Sequence, residues 1–418
     1  MKNSLINDIK KDTKLLTINE SNENDNLHVQ VYTNFEELQN FQNEWDEFAE
    51  STSAGISMTF DWCRIWWKYY GHGRKLKIYL FRYNQEIAGI IPIFIETVWL
   101  GPVKWRWAKI VGSDFTMEMI HPLICSTYYK NIICRLLEYL LDSGECDALY
   151  WGPLSEIDYS KDDLDELIYD HRRNYKIINH ASLGCYTLFH LPDTLDSYLS
   201  SLSKHTRQNY RRRQNKLTKE HHFDFDICNN NIQNFQSFIK MHESQWESVN
   251  KLGHFKDWPK AEEFHCDLVK SHSQLNRLRL FCLSVDNEPM AYRYVYCFGK
   301  RYYSLLPARA CGSQWDKYGL GRLIHVLTVE KAIEEKVNVI NAGRGHYDHK
   351  TQLGGQEYPV GSVLIIRNRF LNIIRGRIFC FMSGLLHLLY YRIWFIRLAP
   401  KLPIKRRSLW KTWIRTRL

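Results

Sequence analysis

The fold is decided by "QWDKYGLGRLIHVLTVEKAIEEKVNVINAG", the stretch from Gln314 to Gly343. A Gly-x-Gly turn, Gly319 to Gly321, opens a helix whose apolar residues recur at helical spacing, and the strand "VNVINAG" follows directly. The residues on one face of that helix are Leu323, Ile324, Leu327 and Ile333. Glycines in such a turn let backbone N–H groups and a helix N-terminus approach an anion closely. The stretch therefore predicts a turn–helix–strand unit with an anion site at the turn.

Three strands precede this unit, and similar strings occur earlier in the chain. "LRLFCLSV", "MAYRYVYCF" and "RYYSLLPA" are separated by the turns "DNEP" and "GK", which predicts a meander. In the first half, "LKIYLFRY", the turn "NQ" and "EIAGIIPIF" predict a hairpin. Both halves place a Glu just past the turn and an Ala in the next strand. The repetition favours an α+β protein with two similar halves.

The positive charge of the chain is concentrated at its C-terminus. Of the 56 Lys and Arg residues, 13 lie in residues 367–418, which contain no acid, and the remaining 43 face 46 Asp and Glu residues. Apolar blocks, arginines and three tryptophans alternate in this tail. Such a composition favours a basic amphipathic helix in an anionic membrane surface, the alternative being a helix docked on the second half. The apolar block Ile378 to Tyr391 is too short for a simple membrane span.

The N-terminus and the cysteines indicate a cytoplasmic protein. Residues 1–27 are polar and lack the apolar core of a secretion signal, which predicts a disordered lead-in. The eleven cysteines form no CxxC pair and no Cys/His zinc spacing. They indicate buried thiols in a reducing compartment, and no metal is expected.

A second concentration of basic residues is "LSKHTRQNYRRRQNKLTKE", Leu202 to Glu220, with seven Lys or Arg and one acid. On a helix, Arg207 and Arg211 share one side, whereas Arg212 and Arg213 point elsewhere. We therefore expect Arg207 and Arg211 to contact an anion, the alternative being a solvated helix face. Duplex DNA is not expected as a partner, because the rest of the chain is slightly acidic and no recognised DNA-reading motif surrounds the cluster.

Five strings in this order resemble the GNAT superfamily of acyl-CoA-dependent N-acyltransferases. They are "TFDWCRIWW", "EIAGIIPIF", "LSKHTRQNYRRRQNKL", "YGLGRLI" and "GRGHYDHKTQLGG", and they span about residues 28–366. More narrowly, the chain resembles the two-lobed branch associated with cellulose and extracellular-polysaccharide synthesis, a relative of the Fem-type peptidyltransferases. The family's cofactor loop has the pattern Arg/Gln-x-x-Gly-x-Gly/Ala. Here the glycines fit, but Asp316 stands at the first position, where an acid beside a pyrophosphate is unfavourable.

The resemblance implies an α+β fold of two tandem GNAT-like lobes, each a mixed twisted sheet flanked by helices, followed by the basic amphipathic tail. We assign the lead-in to residues 1–27, the N-terminal lobe to 28–178, the C-terminal lobe to 179–366 and the tail to 367–418. The first lobe is expected to have lost its cofactor site and to complete the acceptor cleft. The second lobe is expected to bind an acyl-CoA such as acetyl-CoA.

The resemblance also implies the residues that bind donor and acceptor. The expected cofactor-binding residues are Lys317, Tyr318, Gly319, Leu320, Gly321 and Arg322. The expected substrate-binding residues are Arg207, Arg211 and Arg344.

The string "GRGHYDHK" contains the expected catalytic residues. In N-acyl transfer the amine loses a proton, and the departing thiolate gains one or is stabilised. Asp348 and His346 are candidates for the base, and the resemblance includes Tyr347 and Lys350 in the functional loop without assigning their roles. The alternative is a plain loop in which Asp348 and His349 cap neighbouring backbone.

The predicted function is transfer of an acyl group from acyl-CoA to an amine or hydroxyl of a small molecule. The expected acceptor is an amino sugar or glycan intermediate of polysaccharide or cell-envelope synthesis, handled in the cytoplasm at the inner face of the membrane. Two alternatives stay open: a Fem-type transferase with an aminoacyl-tRNA donor, and a non-catalytic scaffold that keeps the fold and docks at the membrane. The segment "FIKMHESQWESVNKLGHFKDWPKAEEFHCDLVKSHS" predicts two helices shorter than the helical arm of Fem-type enzymes, which favours a small-molecule donor.

Overall fold

The computed structural model describes residues 26–115, 119–155, 161–228, 232–402 and 412–415. The predicted lead-in, residues 1–27, lies outside this part of the chain except for its last two residues. The strands are β1 Leu27–Tyr32, β2 Lys75–Tyr83, β3 Glu86–Leu100, β4 Val103–Ile110, β5 Leu123–Ile124, β6 Ala148–Ser155, β7 Tyr175–His190, β8 Phe223–Ile227, β9 Leu278–Val285, β10 Glu288–Phe298, β11 Arg301–Arg309, β12 Val339–Arg344 and β13 Gln356–Arg367.

The α-helices frame this sheet. They are α1 Gln42–Ser51, α2 Phe60–Tyr70, α3 Tyr129–Leu137, α4 Lys161–Asp170, α5 Leu195–Ser201, α6 Lys204–Glu220, α7 Ile232–Glu247, α8 His254–Asp257, α9 Ala261–Gln274, α10 Ser313–Asp316, α11 Leu320–Glu334, α12 Asp348–Gln352, α13 Phe370–Leu386 and α14 Thr412–Arg415.

Within the described ranges, thirteen strands form one mixed sheet that consists of two similar halves. In the first lobe, β1 to β4 pair antiparallel, and β4 then pairs parallel with β6. In the second lobe, β8 to β11 pair antiparallel, and β11 then pairs parallel with β12. The order across the sheet is β1-β2-β3-β4-β6-β13-β7-β12-β11-β10-β9-β8. This architecture confirms the predicted α+β fold with two similar lobes.

Two central strands cross from one lobe into the other. β7 follows the first lobe in sequence but lies beside β12 of the second, and β13 ends the second lobe but lies beside β6 of the first. These two exchanged strands pair antiparallel with each other along their length, from Leu188–Gln356 to Tyr175–Arg367. The boundary assigned between residues 178 and 179 therefore falls inside β7, and each lobe completes its sheet with a strand from the other.

Strand β10 distributes its side chains between two layers of helices. Alternate residues of a strand point to opposite faces, and both faces are covered here. Tyr292, Tyr294 and Tyr296 pack with α7 and α9 on one face, whereas Ala291 and Val295 pack with α11 on the other. The central residue of that second face is an arginine, described below with the site.

Helix α11 is buried over more of its surface than the one-sided pattern predicts. Leu323 and Ile324 are buried as expected, whereas Leu327 and Ile333 are only partly buried. The other buried side chains of the helix include His325, Val326, Thr328, Val329 and Ala332. The sheet covers one side of the helix and α5 and α6 cover another, so polar side chains are enclosed together with the apolar ones.

The C-terminal tail contains a much longer helix than the short apolar block suggests. α13 continues through a π-helical segment, His387–Leu398, and a final 3-10 turn, and the combined helix Phe370–Lys401 is long and apolar enough to cross a membrane by length and composition. One side packs on the first lobe, where the ring of Phe379 lies 5.2 Å from that of Trp105. The same side also packs on the exchanged strand β13, whose Leu364 and Ile366 lie in one apolar cluster with Phe379, so this face of the helix docks on both lobes, and the opposite face is exposed.

Candidate functional site

The second lobe opens between its parallel strands. β11 and β12 stay paired only as far as Tyr303 and Asn341, although they continue to Arg309 and Arg344. On its other edge, β11 has a register shift against β10 that leaves Leu305 without a ladder partner, which is a β-bulge. We call the space beyond the last paired residues of β11 and β12 the cleft, since the carboxyl ends of parallel strands are where open α/β sheets bind their ligands.

The glycine turn lies at the start of α11, next to this cleft. Gly319 directly precedes α11 and has φ +63°, a left-handed conformation that favours glycine. A Cβ atom at this position would overlap the guanidinium of Arg213, which reaches over from α6. A Cβ at Gly321 would touch the side chain of Arg309 at 3.4 Å. The first N–H groups of α11 and the Arg213 guanidinium converge, an arrangement that suits a phosphate group.

The loop before Gly319 is held by ion pairs within the second lobe. Asp316, the acid that departs from the family pattern, lies 2.7 Å from Nη1 of Arg309 and is neutralised by it. Lys317 pairs with Glu220 at 3.1 Å, and the buried Tyr318 hydroxyl donates to the same carboxylate at 2.5 Å. These contacts lower the pKa of the Glu220 carboxyl, with the Tyr318 hydrogen bond as the largest cause. Lys317 and Tyr318 therefore position the loop.

The remaining predicted cofactor residues differ in accessibility. Leu320 is buried in the core, so it can offer a ligand only its backbone. Arg322 lies at the cleft, and its Nη2 donates to Oε1 of Gln352 at 2.6 Å, which links α11 to α12. Burial and the neighbouring charge of Arg322 lower the pKa of Arg213. Among the described residues no carboxylate forms an ion pair with either guanidinium, so both present uncompensated charge.

The substrate contacts predicted on α6 need correction. Nη1 of Arg207 donates to three carbonyl oxygens at the end of α5, at 3.0–3.2 Å, and so caps that helix instead of facing the cleft. Arg211 is exposed to solvent. The helix pattern placed Arg213 away from the side that Arg207 and Arg211 share, but the guanidinium of Arg213 is the one that reaches Gly319.

The spacing of α6 explains this outcome. Its buried residues are Thr206, Tyr210 and Leu217, and Arg213 lies three residues after Tyr210 and four before Leu217. Residues at such spacing share one face of a helix. Arg213 is therefore the cation on the inward face, a signal that the sequence contains.

Lys350, a predicted catalytic residue, is tied to the backbone. Its Nζ donates to the carbonyl oxygens of Ala342, Gly343 and Gly345 at 2.8, 3.3 and 3.3 Å, and the residue is 8% exposed. An ammonium has three donors, so these contacts make Lys350 a positioning residue for the turn after β12. The ring of Tyr347 lies over the ammonium, 5.0 Å from it, and is 47% exposed.

His346 and Asp348 form an exposed pair on the same turn. Nε2 of His346 is 3.2 Å from Oδ1 of Asp348, and its Nδ1 is 2.8 Å from Oε1 of Glu357. The Glu357 carboxylate, through its hydrogen bond, is the largest cause that raises the pKa of His346. The structure thus brings three predicted catalytic residues, His346, Tyr347 and Asp348, onto one turn, with Glu357 as a partner that the sequence did not indicate.

Arg344 lies at the junction of the lobes. Its Nη2 donates to the carbonyl oxygen of Leu183 on β7 at 3.3 Å. Burial lowers the pKa of Arg344, and the nearby Tyr150 on β6 partly offsets this effect. The residue therefore contacts the exchanged strand β7.

A buried polar chain in the second lobe was missed by the sequence analysis. Nη1 of Arg293, on β10, is 2.9 Å from Nδ1 of His325 on α11. Nε2 of His325 is 3.1 Å from the hydroxyl of Tyr198, which donates to the carbonyl oxygen of Leu353 at 2.6 Å. The alternation of "MAYRYVYCF" places Arg293 on the same face as Ala291, which was the available signal.

The first lobe has an equivalent pair of parallel strands, but the buried cations beside it are paired with a carboxylate. β4 and β6 are paired as far as Lys109 and Tyr150, and Lys109 is completely buried. Its Nζ lies 3.2 Å from Asp114, which also pairs with Arg74 at 2.8 Å. Helix α3 starts after the 3-10 turn Ser126–Tyr128, without a glycine turn. This cleft is therefore neutralised by the protein itself.

Comparison with known proteins gives a family match to the second lobe and several similar solved structures. Residues 204–351 match the family described as acetyltransferase (GNAT) domain. No match was found among curated proteins. The solved structure of FemX is similar with a TM-score of 0.59 at 10% identity, over 77% of this chain and 95% of that one. These findings define the fold as GNAT-like and place the match to the GNAT acetyltransferase domain in the second lobe.

Two further solved structures align more loosely. A tandem GNAT protein from the clavulanic acid biosynthesis pathway has a TM-score of 0.41 at 9% identity, over 82% of this chain and 98% of that one. L-PGS from Bacillus licheniformis has a TM-score of 0.44 at 13% identity, over 79% and 94%. Within the described residues, no group of three or more His, Cys, Asp or Glu forms a metal site.

Proposed function

We propose that the chain is an N-acyltransferase that transfers an acyl group from acyl-CoA to an amine or hydroxyl of a small molecule. The observation that carries this proposal is the convergence of Arg213, Arg322 and the left-handed Gly319 at the start of α11, beside the cleft between β11 and β12. The diphosphate of CoA supplies the negative charge that this convergence lacks.

The turn at residues 346–348 provides groups for the chemistry. Acyl transfer to an amine breaks the thioester C–S bond, forms a C–N bond, takes a proton from the amine and releases a thiolate. Tyr347, which is exposed, can donate a proton to the thiolate. The carboxylate of Asp348 can accept the proton of the amine, directly or through water, and His346 connects it to Glu357.

The donor is tested by titrating the full-length chain with acetyl-CoA and with free CoA in a calorimeter. We expect saturable binding that Gly319→Glu abolishes, because the new side chain overlaps Arg213 and adds negative charge at the phosphate site. Gly144→Glu is the matched control, since Gly144 is also left-handed, at φ +74°, but faces open space. Absence of binding up to millimolar concentration would overturn the acyl-CoA donor.

We propose an amino sugar or a glycan intermediate of polysaccharide synthesis, including cellulose synthesis, as the acceptor. The resemblance of the chain to the two-lobed polysaccharide-synthesis branch supports this acceptor class. The test measures release of free CoA thiol from acetyl-CoA with glucosamine and with glucose, which lacks the amine. Release above background with glucosamine alone supports the amino group as acceptor, and equal rates with both sugars contradict it.

We propose further that the helix Phe370–Lys401 holds the enzyme on the cytoplasmic face of a membrane. Its outer face exposes Phe370, Leu371, Phe381 and Ile396 at 76, 69, 69 and 59%. Arginines lie along the same helix, and residues 367–418 contain no acid, so the face complements anionic headgroups.

Sedimentation with vesicles tests this location. Vesicles with phosphatidylglycerol are expected to bind the full-length chain, and vesicles of phosphatidylcholine alone are expected to bind it much less. Phe381→Glu should weaken binding, whereas Tyr169→Glu, at a 63% exposed residue of the first lobe, should not. Equal sedimentation of both variants would contradict the proposal.

A second candidate donor, an aminoacyl-tRNA, is favoured by the outer face of α6. Lys204, Arg211, Arg212, Lys216 and Lys219 are exposed there, close to the phosphate site. Binding of tRNA through many such cations falls steeply with salt. Tight tRNA binding that weakens strongly between 50 and 200 mM salt, together with no acetyl-CoA binding, would replace acyl-CoA by this donor.

A further inference from the structure

We propose that the second lobe contains an additional anion subsite, built around Arg293 with His325 and His349, that binds a carboxylate or phosphate group of the substrate. The inference rests on the proposed function, since it describes the same cleft. The subsite is separate from the phosphate site at Gly319 and Arg213, and its test does not require CoA.

Arg293 is a cation with spare hydrogen-bonding capacity. A guanidinium has five N–H donors. In Arg293, Nη1 donates to Nδ1 of His325, while the buried Nε has no hydrogen-bond partner. No ion pair joins Arg293 to a carboxylate in the part of the chain that the structure describes. Burial lowers the pKa of Arg293 to about 10, which leaves it charged at neutral pH.

The neighbouring imidazole cannot supply the missing negative charge. Nδ1 of His325 accepts the hydrogen bond from Arg293, so Nε2 carries the proton and donates to Tyr198. The hydroxyl of Tyr198 donates a hydrogen bond to the carbonyl oxygen of Leu353. Burial, followed by the charge of Arg293, holds the pKa of His325 well below its ordinary value. The chain of hydrogen bonds thus orients the guanidinium and leaves it uncompensated, which is costly for a buried charge.

The subsite and the phosphate site lie along the same helix, α11. Arg322 lies between Gly319 and His325 in sequence, three residues from each, and His325 is about 9 Å along the axis of α11 from Gly319 at about 1.5 Å per residue. His349, which is exposed to solvent, lies near enough to Arg293, Lys350 and Arg322 for their charges to add to desolvation in lowering its pKa. The two positively charged places therefore fit a donor and acceptor that together carry a second anionic group about 9 Å from the diphosphate.

Thermal unfolding of the full-length chain in inorganic phosphate tests the subsite, with chloride keeping the ionic strength constant. The background is Arg213→Gln, which weakens the first phosphate site. We expect phosphate to raise the Tm of this variant and to have no effect after Arg293→Met is added. Without phosphate, Arg293→Met should itself raise the Tm, because it removes an unpaired buried charge.

The opposite pattern would overturn the proposal. If Arg293→Met lowers the Tm and leaves the response to phosphate unchanged, Arg293 is a structural partner of His325. Arg293→Lys keeps the charge and is expected to retain part of the phosphate response, so it separates loss of charge from loss of packing. Complete loss of the response in Arg293→Lys together with a lowered Tm would also count against the subsite.

A second arm identifies which substrate carries the anion. If the acyl group carries it, the wild type binds succinyl-CoA about tenfold more tightly than acetyl-CoA, and Arg293→Met removes the difference. If the acceptor carries the anion, acetyl-CoA and succinyl-CoA bind equally well to the wild type and to Arg293→Met. The rise in Tm with phosphate still depends on Arg293 in that case. If neither donor binds, the proposed CoA donor fails, and the phosphate result alone decides the subsite.

Discussion

The two lobes have the same parallel strand pair but treat positive charge in opposite ways. In the first lobe, buried Lys109 and Arg74 share the carboxylate of Asp114. In the second, Arg213 and Arg293 have no carboxylate partner among the described residues. One fold therefore carries two charge arrangements: the first lobe neutralises its buried cations, and the second leaves cations unpaired, which is the difference on which the proposed anion binding rests.

The largest effect is expected from breaking the internal neutralisation of the first lobe. Asp114→Asn leaves Lys109 and Arg74 buried without their common carboxylate, and removing one partner of a buried ion pair typically costs about 3–5 kcal/mol. The free energy of unfolding from urea denaturation measures this loss. Asp193→Asn, an exposed aspartate, is the control. A loss as small as that of the control would show that Asp114 does not distinguish the lobes.

Acid should affect the second lobe before the first. His242, His265, His272 and His325 are buried there, and burial lowers their pKa values, to about 3 for His265 and His272. The unfolded chain protonates these imidazoles near their ordinary pKa while the folded lobe keeps them neutral. Their contribution is thus present at neutral pH and is lost as the pH falls from about 6.5, by at most about 1.4 kcal/mol per pH unit for each.

Hydrogen–deuterium exchange at pH 7.0, 5.5 and 4.5, corrected for the intrinsic exchange rate, measures this difference. Protection is expected to fall first in β9 to β11 and in α7 and α9. Within the described residues, the first lobe has one buried histidine, His121. Simultaneous loss of protection in β2 and β3 would contradict a difference between the lobes.

A smaller effect is expected on acetyl-CoA binding when the unpaired cation Arg213 of the second lobe is removed. Arg213→Gln removes a charge-assisted contact to the diphosphate, worth about 1.5–3 kcal/mol, so acetyl-CoA should bind about 10- to 100-fold more weakly. Calorimetric titration measures the change. Arg212→Gln lies on the exposed side of the same helix and should bind as the wild type does. Equal weakening by both substitutions would mean that general charge, and not the site at Gly319, determines binding.

The smallest effect is expected at the exposed turn. Glu357→Gln removes the largest cause that raises the pKa of His346, so this pKa should fall toward the ordinary histidine value. An NMR titration of the His346 ring measures it, with Glu288→Gln as a distant control. The interaction favours the folded state below the ordinary pKa, and this advantage disappears as the pH rises through the raised value. An unchanged titration would show that the Glu357 contact does not persist in solution.

Most local elements could be predicted from the sequence because their partners are close in the chain. The β2–β3 hairpin and the β9–β11 meander follow from alternation and short turns, and α11 follows from its glycine turn. The exchange of β7 and β13 could not be predicted in this way. Each strand pairs with partners far away in sequence, and periodicity contains no information about which distant strand will be adjacent.

The candidate site residues stay predictions, and the sequence indicated those whose signal is local. Gly319 and the turn at residues 346–348 were recognised from their own strings. Arg207 was misjudged because its partners, the carbonyl groups ending α5, depend on how two helices meet. The periodicity of α6 and of β10 could have identified Arg213 and Arg293, since each occupies an inward position among apolar neighbours.

The exchanged strands also have a consequence for the order in which the protein is made. The first lobe is synthesised before the second, but its sheet lacks β13, which leaves the ribosome 166 residues after the end of β7. At about 5–20 residues per second, this delay is on the order of ten to thirty seconds. During that time the edge of β6 that pairs with β13 lacks its partner, so the sheet of the first lobe becomes complete only after β13 has been synthesised.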